Sequence, residues 1–170
     1  QIPGGEIAHA YSNYNVKTDT KLLWMNAAEV AFLRAEGALK GWNMGDKAGN
    51  FYAKGVKLSF EQWGVSGAEK YLADAASTPA LYNDPVGNNS YSGKTSTVTI
   101  AWNDGDALER QLERVITQKW LAMFPLGLEA WADYRRTGYP LLMPVKVNNS
   151  GGIVNTERGA RRLAYPQEER

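Results

Sequence analysis

The chain has no cysteine, which rules out disulfides and thiolate metal sites. Its single histidine, His9, rules out any zinc site built on two or more imidazoles, and in a polar lead-in it reads as an exposed loop residue. No apolar run approaches the roughly 18 residues that a membrane-spanning helix needs. Neither sign of charge prevails: 19 basic side chains face 18 acidic ones, so the net charge of +1 leaves no electrostatic footprint for nucleic acid or an anionic membrane. A nucleophile elbow, G-x-S-x-G, and a phosphate-cradling P-loop are both missing. No signal peptide opens the chain, which begins at Gln1 and ends on QEER, and both ends read as cut.

What is present is an ordinary globular composition, 44% hydrophobic and 22% charged, in a length that suits one domain over residues 1–170. Apolar periodicity predicts a mostly α fold, with helices near 22–40, 46–63, 67–75, 104–124 and 128–136. Asn26 and Glu29 form a capping pair, so the regular part of the first helix is expected to begin there. Ala27, Ala31, Ala35 and Ala38 make a stripe of small residues that lets a second helix approach closely, and Gly41 closes the helix. Gly55, in the middle of the second helix, marks a close contact. The short link between the two makes a hairpin of the tetratricopeptide kind. Ser66 with Glu69 is read as a capping box for the third helix, and Asp104 or Asp106 as the cap of the fourth.

The densest stretch is ITQKWLAMFPLGLEAWADYRRTGYP, from Ile116 to Pro140. Leu108, Leu112, Val115, Ile116, Trp120 and Met123 recur at helical spacing, Pro125 and Gly127 stop that helix, and Gly138 is placed for a left-handed cap. The expected result is a helical corner with its aromatics inside and ion pairs among Glu129, Asp133 and Arg136. Glu129 and Asp133 lie one turn apart on one helix, not across a cleft, so they read as salt-bridge partners and not as an acid–base pair. Between the third and fourth helices runs a long polar loop, STPALYNDPVGNNSYSGKTS, and then Thr97 to Trp102, whose alternation allows one strand at most. Arg-Arg-x-x-Tyr-Pro occurs twice, at Arg135 and Arg161.

Several segments together carry a resemblance. They are the helix with Ala28, Glu29, Leu33, Arg34, Ala35 and Glu36, followed by Gly41, Trp42 and Asn43. To these add SFEQW at Ser59, TIAWND at Thr99, QKW at Gln118, EAW at Glu129, RRTGYP at Arg135 and RRLAYP at Arg161. In this order they resemble the C-terminal portion of the SusD/RagB family of SusD-like nutrient-binding lipoproteins. The resemblance implies a non-enzymatic protein on the surface of a Gram-negative outer membrane, with no cofactor. Such proteins capture glycans or other nutrients for a SusC-type TonB-dependent transporter, and their lipid anchor would lie on an N-terminal part not in this chain. It further implies that the main ligand surface lies upstream.

Sugar rings lie on aromatic faces while amides and carboxylates take their hydroxyls. Tyr82, Asn83, Tyr91 and Trp102, interleaved with Asp84, Asn88, Asn89 and Asn103, are therefore the candidate ligand-binding residues of the loop. Asn83, Asp84, Asn88 and Asn89 supply oxygens of the kind calcium takes, without the spacing of an EF-hand. The competing reading is a helical-repeat interaction module that binds a peptide or protein partner, and an alanine stripe left open would favour it.

Overall fold

The structure is a computed structural model that describes residues 17–87 and 90–161. It contains five helices among the described residues: α1 (Ala27–Leu39), α2 (Ala48–Gln62), α3 (Ala68–Leu72), α4 (Leu108–Ala122) and α5 (Gly127–Thr137). His9, Asn88, Asn89 and the second Arg-Arg-x-x-Tyr-Pro beyond Arg161 lie outside the described residues.

Asn26 caps α1 as its sequence implies, its side chain accepting from the Glu29 N–H at 2.6 Å. At the other end Gly41 takes φ +79°, and the Trp42 N–H reaches back to the Gly37 carbonyl at 3.0 Å, ending the helix in a Schellman turn. Gly64 ends α2 in the same way, with Val65 donating to Phe60. The two helices form a tetratricopeptide-like hairpin whose contact face is Ala28, Ala31, Phe32 and Ala35 against Phe51, Tyr52 and Val56. Of the predicted stripe, Ala31 and Ala35 are buried and Ala38 is half-buried, while Ala27 is exposed and Ala28 is buried in its stead. Gly55 is where the helices come closest: a Cβ there would sit 2.7 Å from Phe32 Cζ. Helix α4 lies across α1 and closes the core with Val115, Ile116, Ala122 and Met123.

Four expectations need correction. Trp120, Trp131 and Tyr134 are only half-buried and Phe124 is 52% exposed, so the α4–α5 corner carries its aromatics on a groove wall and not inside. Helix α3 is capped by Gly67 at φ +95°, a conformation Ser66 would resist, so the Ser66–Glu69 box does not form. Helix α4 begins after Ala107 without a side-chain cap, because Asp106 instead takes the Arg114 guanidinium at 2.7 Å. Gly127 opens α5 and does not stop α4, which has already ended at Ala122.

Thr97 to Trp102 pairs with no strand among the described residues. Side chains hold it instead: Tyr52 donates to Ile100 O at 2.7 Å, Arg114 Nε to Thr99 O at 2.8 Å and Arg110 Nη2 to Thr97 O at 2.7 Å. These bonds satisfy the carbonyls that a ladder would otherwise use. At the C-terminal end Gly138 caps α5 at φ +82° as expected. The segment after residue 157 then runs back along α5, with Trp131 Nε1 donating to Ala160 O at 2.9 Å and Arg161 Nη1 to Arg135 O at 3.0 Å.

Candidate functional site

Three depressions differ sharply in chemistry. The first is a cleft of about 630 Å³ between α1 and α5, floored by charges. Arg136 grips both oxygens of Glu36, with Nη2–Oε2 at 2.8 Å, and also reaches Asp133 Oδ1 at 2.7 Å. Lys40 adds a contact to Glu36 at 2.9 Å, and Lys119 Nζ stands 2.8 Å from Asp133 Oδ2 and 4.0 Å from Glu29. Burial alone would raise the Glu36 carboxyl, but hydrogen bonds from Arg136 and Lys40 outweigh it and hold the group below its ordinary value. Glu29 goes the other way: burial raises it, and Lys119 only partly compensates. Each carboxylate in this seam is engaged by a cation, so the arrangement ties α1, α4 and α5 together. Glu129 is exposed and lines the same cleft without an ion pair among the described residues.

The second is an apolar groove of about 610 Å³ at the α4–α5 corner, walled by Trp120, Leu121, Phe124, Leu126 and Trp131. The third is a cleft of about 670 Å³ between residues 82–87 and 90–93 on one side and 143–157 on the other. Both loops are built from short side-chain-to-backbone bonds, which explains their asparagine, aspartate and serine content. Asp84 Oδ1 accepts from Val86 N at 3.1 Å, and Tyr91 N donates to Tyr82 O at 2.9 Å, closing the first loop. In the second, Asn148 Nδ2 donates to Val154 O at 2.7 Å, and Asn155 Oδ1 accepts from Glu157 N and Arg158 N.

Tyr82 and Tyr91 both line this third cleft. The Tyr91 ring folds over Gly93, where a Cβ would meet it at 2.5 Å, and its hydroxyl donates to Lys94 O at 3.2 Å. Asn83 stands behind, accepting from Ser90 Oγ at 3.2 Å. Trp102 is elsewhere. It packs 5.2 Å from the Tyr52 ring over Gly49, and its indole N–H donates to Asp104 at 2.7 Å. The structure thus brings together two of the four predicted residues, sets Asn83 behind them and separates Trp102.

A family model described as SusD and RagB outer membrane lipoprotein matches residues 3–170. The chain belongs to the SusD/RagB family. That family description places the protein at the outer membrane. Among solved structures, this SusD-like chain is 57% identical to a SusD homologue from Bacteroides uniformis, with a TM-score of 0.89, covering 94% of this chain and 33% of that one. A homologue from Bacteroides thetaiotaomicron is 55% identical, with a TM-score of 0.86 over 94% and 33%. A chitin-binding homologue from Flavobacterium johnsoniae is 54% identical, with a TM-score of 0.80 over 86% and 30%. The SusD-like chain therefore spans about a third of the length of these relatives. No curated protein is significantly similar to it.

Sequence reasoning missed the far wall of the SusD-like chain's loop cleft. Met143, Val145 and Val147 line it together with Thr156 and Glu157. The available signal was the largely apolar run MPVKV, all of whose residues line the cleft.

Proposed function

We propose that this protein is a non-enzymatic glycan-binding member of its family that holds saccharides at the bacterial outer membrane for a SusC-type TonB-dependent transporter. The observation that carries the reading is the loop cleft itself, where two tyrosine rings face side chains of mixed polarity. Its volume falls within the roughly 300–1,000 Å³ of small-ligand sites. Chitin binding by a relative that is 54% identical supports saccharides as the ligand class. A binding role without catalysis is supported by the ion pairs that Glu29, Glu36 and Asp133 make with Lys119 and Arg136. The peptide-binding reading loses its main support because Ala31 and Ala35 are covered in the hairpin.

On this reading the cleft is one platform, and a span of about a third of its relatives' length supports further ligand surface outside this chain. Millimolar affinity is therefore expected for the 170-residue chain and tighter binding for the complete gene product. Ligand-observed NMR and calorimetry against a panel of oligosaccharides test this. Saccharide binding that Tyr82→Ala and Tyr91→Ala leave unchanged would move the site away from the cleft, and turnover of any saccharide would overturn the non-enzymatic role. Delivery is tested by co-purification with a TonB-dependent transporter, whose failure in mild detergent would remove that part of the reading.

A further inference from the structure

We infer that the loop cleft selects sugars carrying an acetamido group. This rests on the saccharide reading above and deepens it. An unsubstituted hexose offers one apolar ring face and a rim of hydroxyls. The tyrosine side of the cleft suits that face. Much of the opposite wall does not suit the rim: alongside Pro144 and the Lys146 side chain, the apolar Met143, Val145 and Val147 line it and are 45%, 53% and 69% exposed. Hydroxyls placed against that strip would lose water and gain no partner. A substituent with its own methyl group removes the mismatch.

The polar groups beside the strip match the rest of an acetamide. Ser92 and Thr156 line the same cleft and are exposed. Thr156 Oγ1 accepts from Asn148 Nδ2 at 3.0 Å, which leaves its own O–H free to donate outward, and the Ser92 hydroxyl has no partner among the described residues. Both are donors for an amide carbonyl. The Glu157 backbone is fixed by Asn155 at 3.0 Å, while its carboxylate carries no partner among the described residues and can accept an amide N–H. Methyl, carbonyl and N–H each meet the side chain that their chemistry requires. An O-acetyl ester would lack the N–H, and a free amine would lack the methyl and the carbonyl.

The test titrates the 170-residue chain by saturation-transfer and chemical-shift NMR, which read millimolar binding. The probes are triacetylchitotriose, cellotriose with the same linkage and no acetamido group, and the fully deacetylated chitosan trimer. Triacetylchitotriose should bind about tenfold more tightly than cellotriose, the lower end of what one apolar group in a pocket contributes to discrimination. Val145→Asp should abolish that preference while leaving the melting temperature unchanged. Glu157→Gln should reduce the preference without removing it, since a side-chain amide still accepts. Equal affinity for the two acetylated and unacetylated β-linked trimers, or a Val145→Asp variant that keeps the preference, would overturn the inference and leave saccharide binding standing. Tighter binding of the deacetylated trimer would assign Glu157 to an ammonium group and overturn it as well. Binding of no saccharide at all would overturn both this inference and the reading beneath it.

Discussion

Asp133 and Glu157 are both carboxylates, and the molecule uses them in opposite ways. The Asp133 side chain is 7% exposed, with Lys119 at 2.8 Å on one oxygen and Arg136 at 2.7 Å on the other. Glu157 stands in an open cleft, where only its backbone N–H is held, by Asn155. Around Asp133 the side chains make the structure, because three helices meet through their charged ends. Around Glu157 asparagine, serine and aspartate hold the backbone locally, and the remaining side chains are left to face outward. Rigidity in the first region follows from side-chain identity. In the second it follows from turn chemistry, so cleft residues can change with little effect on the fold. A binding surface belongs in a region of the second kind.

The comparison is broken most directly at Lys119. Lys119→Ala leaves Glu29 without a cation and Asp133 with Arg136 alone, all inside the seam. Removing one partner of a buried pair is expected to cost about 3–5 kcal/mol. As a control, Lys57→Ala removes a contact to Glu69 whose side chains are 49% and 80% exposed, and it should cost no more than about 1 kcal/mol. Urea denaturation measures both. Similar values would mean that the seam is wetter than its burial implies.

A second contrast sets Phe32 against Trp131. Phe32 is 1% exposed and touches Gly55 and the Tyr52 ring at 6.1 Å, so Phe32→Ala should cost about 3–5 kcal/mol. Trp131 is half-buried on the groove wall under the Arg135 guanidinium, and Trp131→Ala should cost about 1–2 kcal/mol. A Trp131 variant as damaging as the Phe32 variant would restore the corner as a true core.

These two residues also mark how far the sequence can be read. The helices were legible because their signals are local: Asn26 with Glu29, Gly41, Gly138, and apolar positions at three- and four-residue spacing. The density of tryptophan between Ile116 and Pro140 reads as a core, yet aromatics are equally suited to a groove wall, and composition does not separate the two. Arg114 and Lys119 occupy polar positions of α4 and are nevertheless 2% and 3% exposed. Their partners, Asp106, Thr99, Glu29 and Asp133, come from loops and other helices, and no helical period foretells such pairings. In the loops Tyr82 and Tyr91 were legible from aromatic–polar interleaving. The wall facing them arrives more than fifty residues later in the chain, through a fold-back that no local pattern encodes.

The pH response sharpens the comparison within the seam, because two of its buried acids pull in opposite directions. Glu36 is lowered in the fold, so its contribution to stability is complete above its ordinary pKa and is lost as pH falls through the folded value. Glu29 is raised by burial, so its contribution is complete below its ordinary pKa and is lost as pH rises through the folded value. Glu36→Gln should therefore flatten the acid side of the melting-temperature profile. Glu29→Gln should flatten the part just above the ordinary carboxylate range. Parallel profiles for the two variants would show that the acids share one environment.

The smallest expected effect on stability is at Tyr91, and it is the one that joins the comparison to function. Tyr91 is half-buried, its backbone N–H bonds to Tyr82 O at 2.9 Å, and its ring rests on Gly93 with the hydroxyl on Lys94 O. Tyr91→Ala keeps the backbone bond, because any residue but proline supplies that N–H. It removes one exposed hydrogen bond and a ring outside the main core, a loss of about 1 kcal/mol or less. Tyr91→Phe isolates the two terms, since it deletes the bond to Lys94 O and keeps the ring. If the ring is a saccharide platform, Tyr91→Phe should bind as the parent does and Tyr91→Ala should lose binding, with melting temperatures close to parent in both. The pair of measurements has a clear failure mode. A large drop in melting temperature for Tyr91→Ala would make this loop part of the load carried by the core, and the separation between a rigid seam and a permissive cleft would not hold.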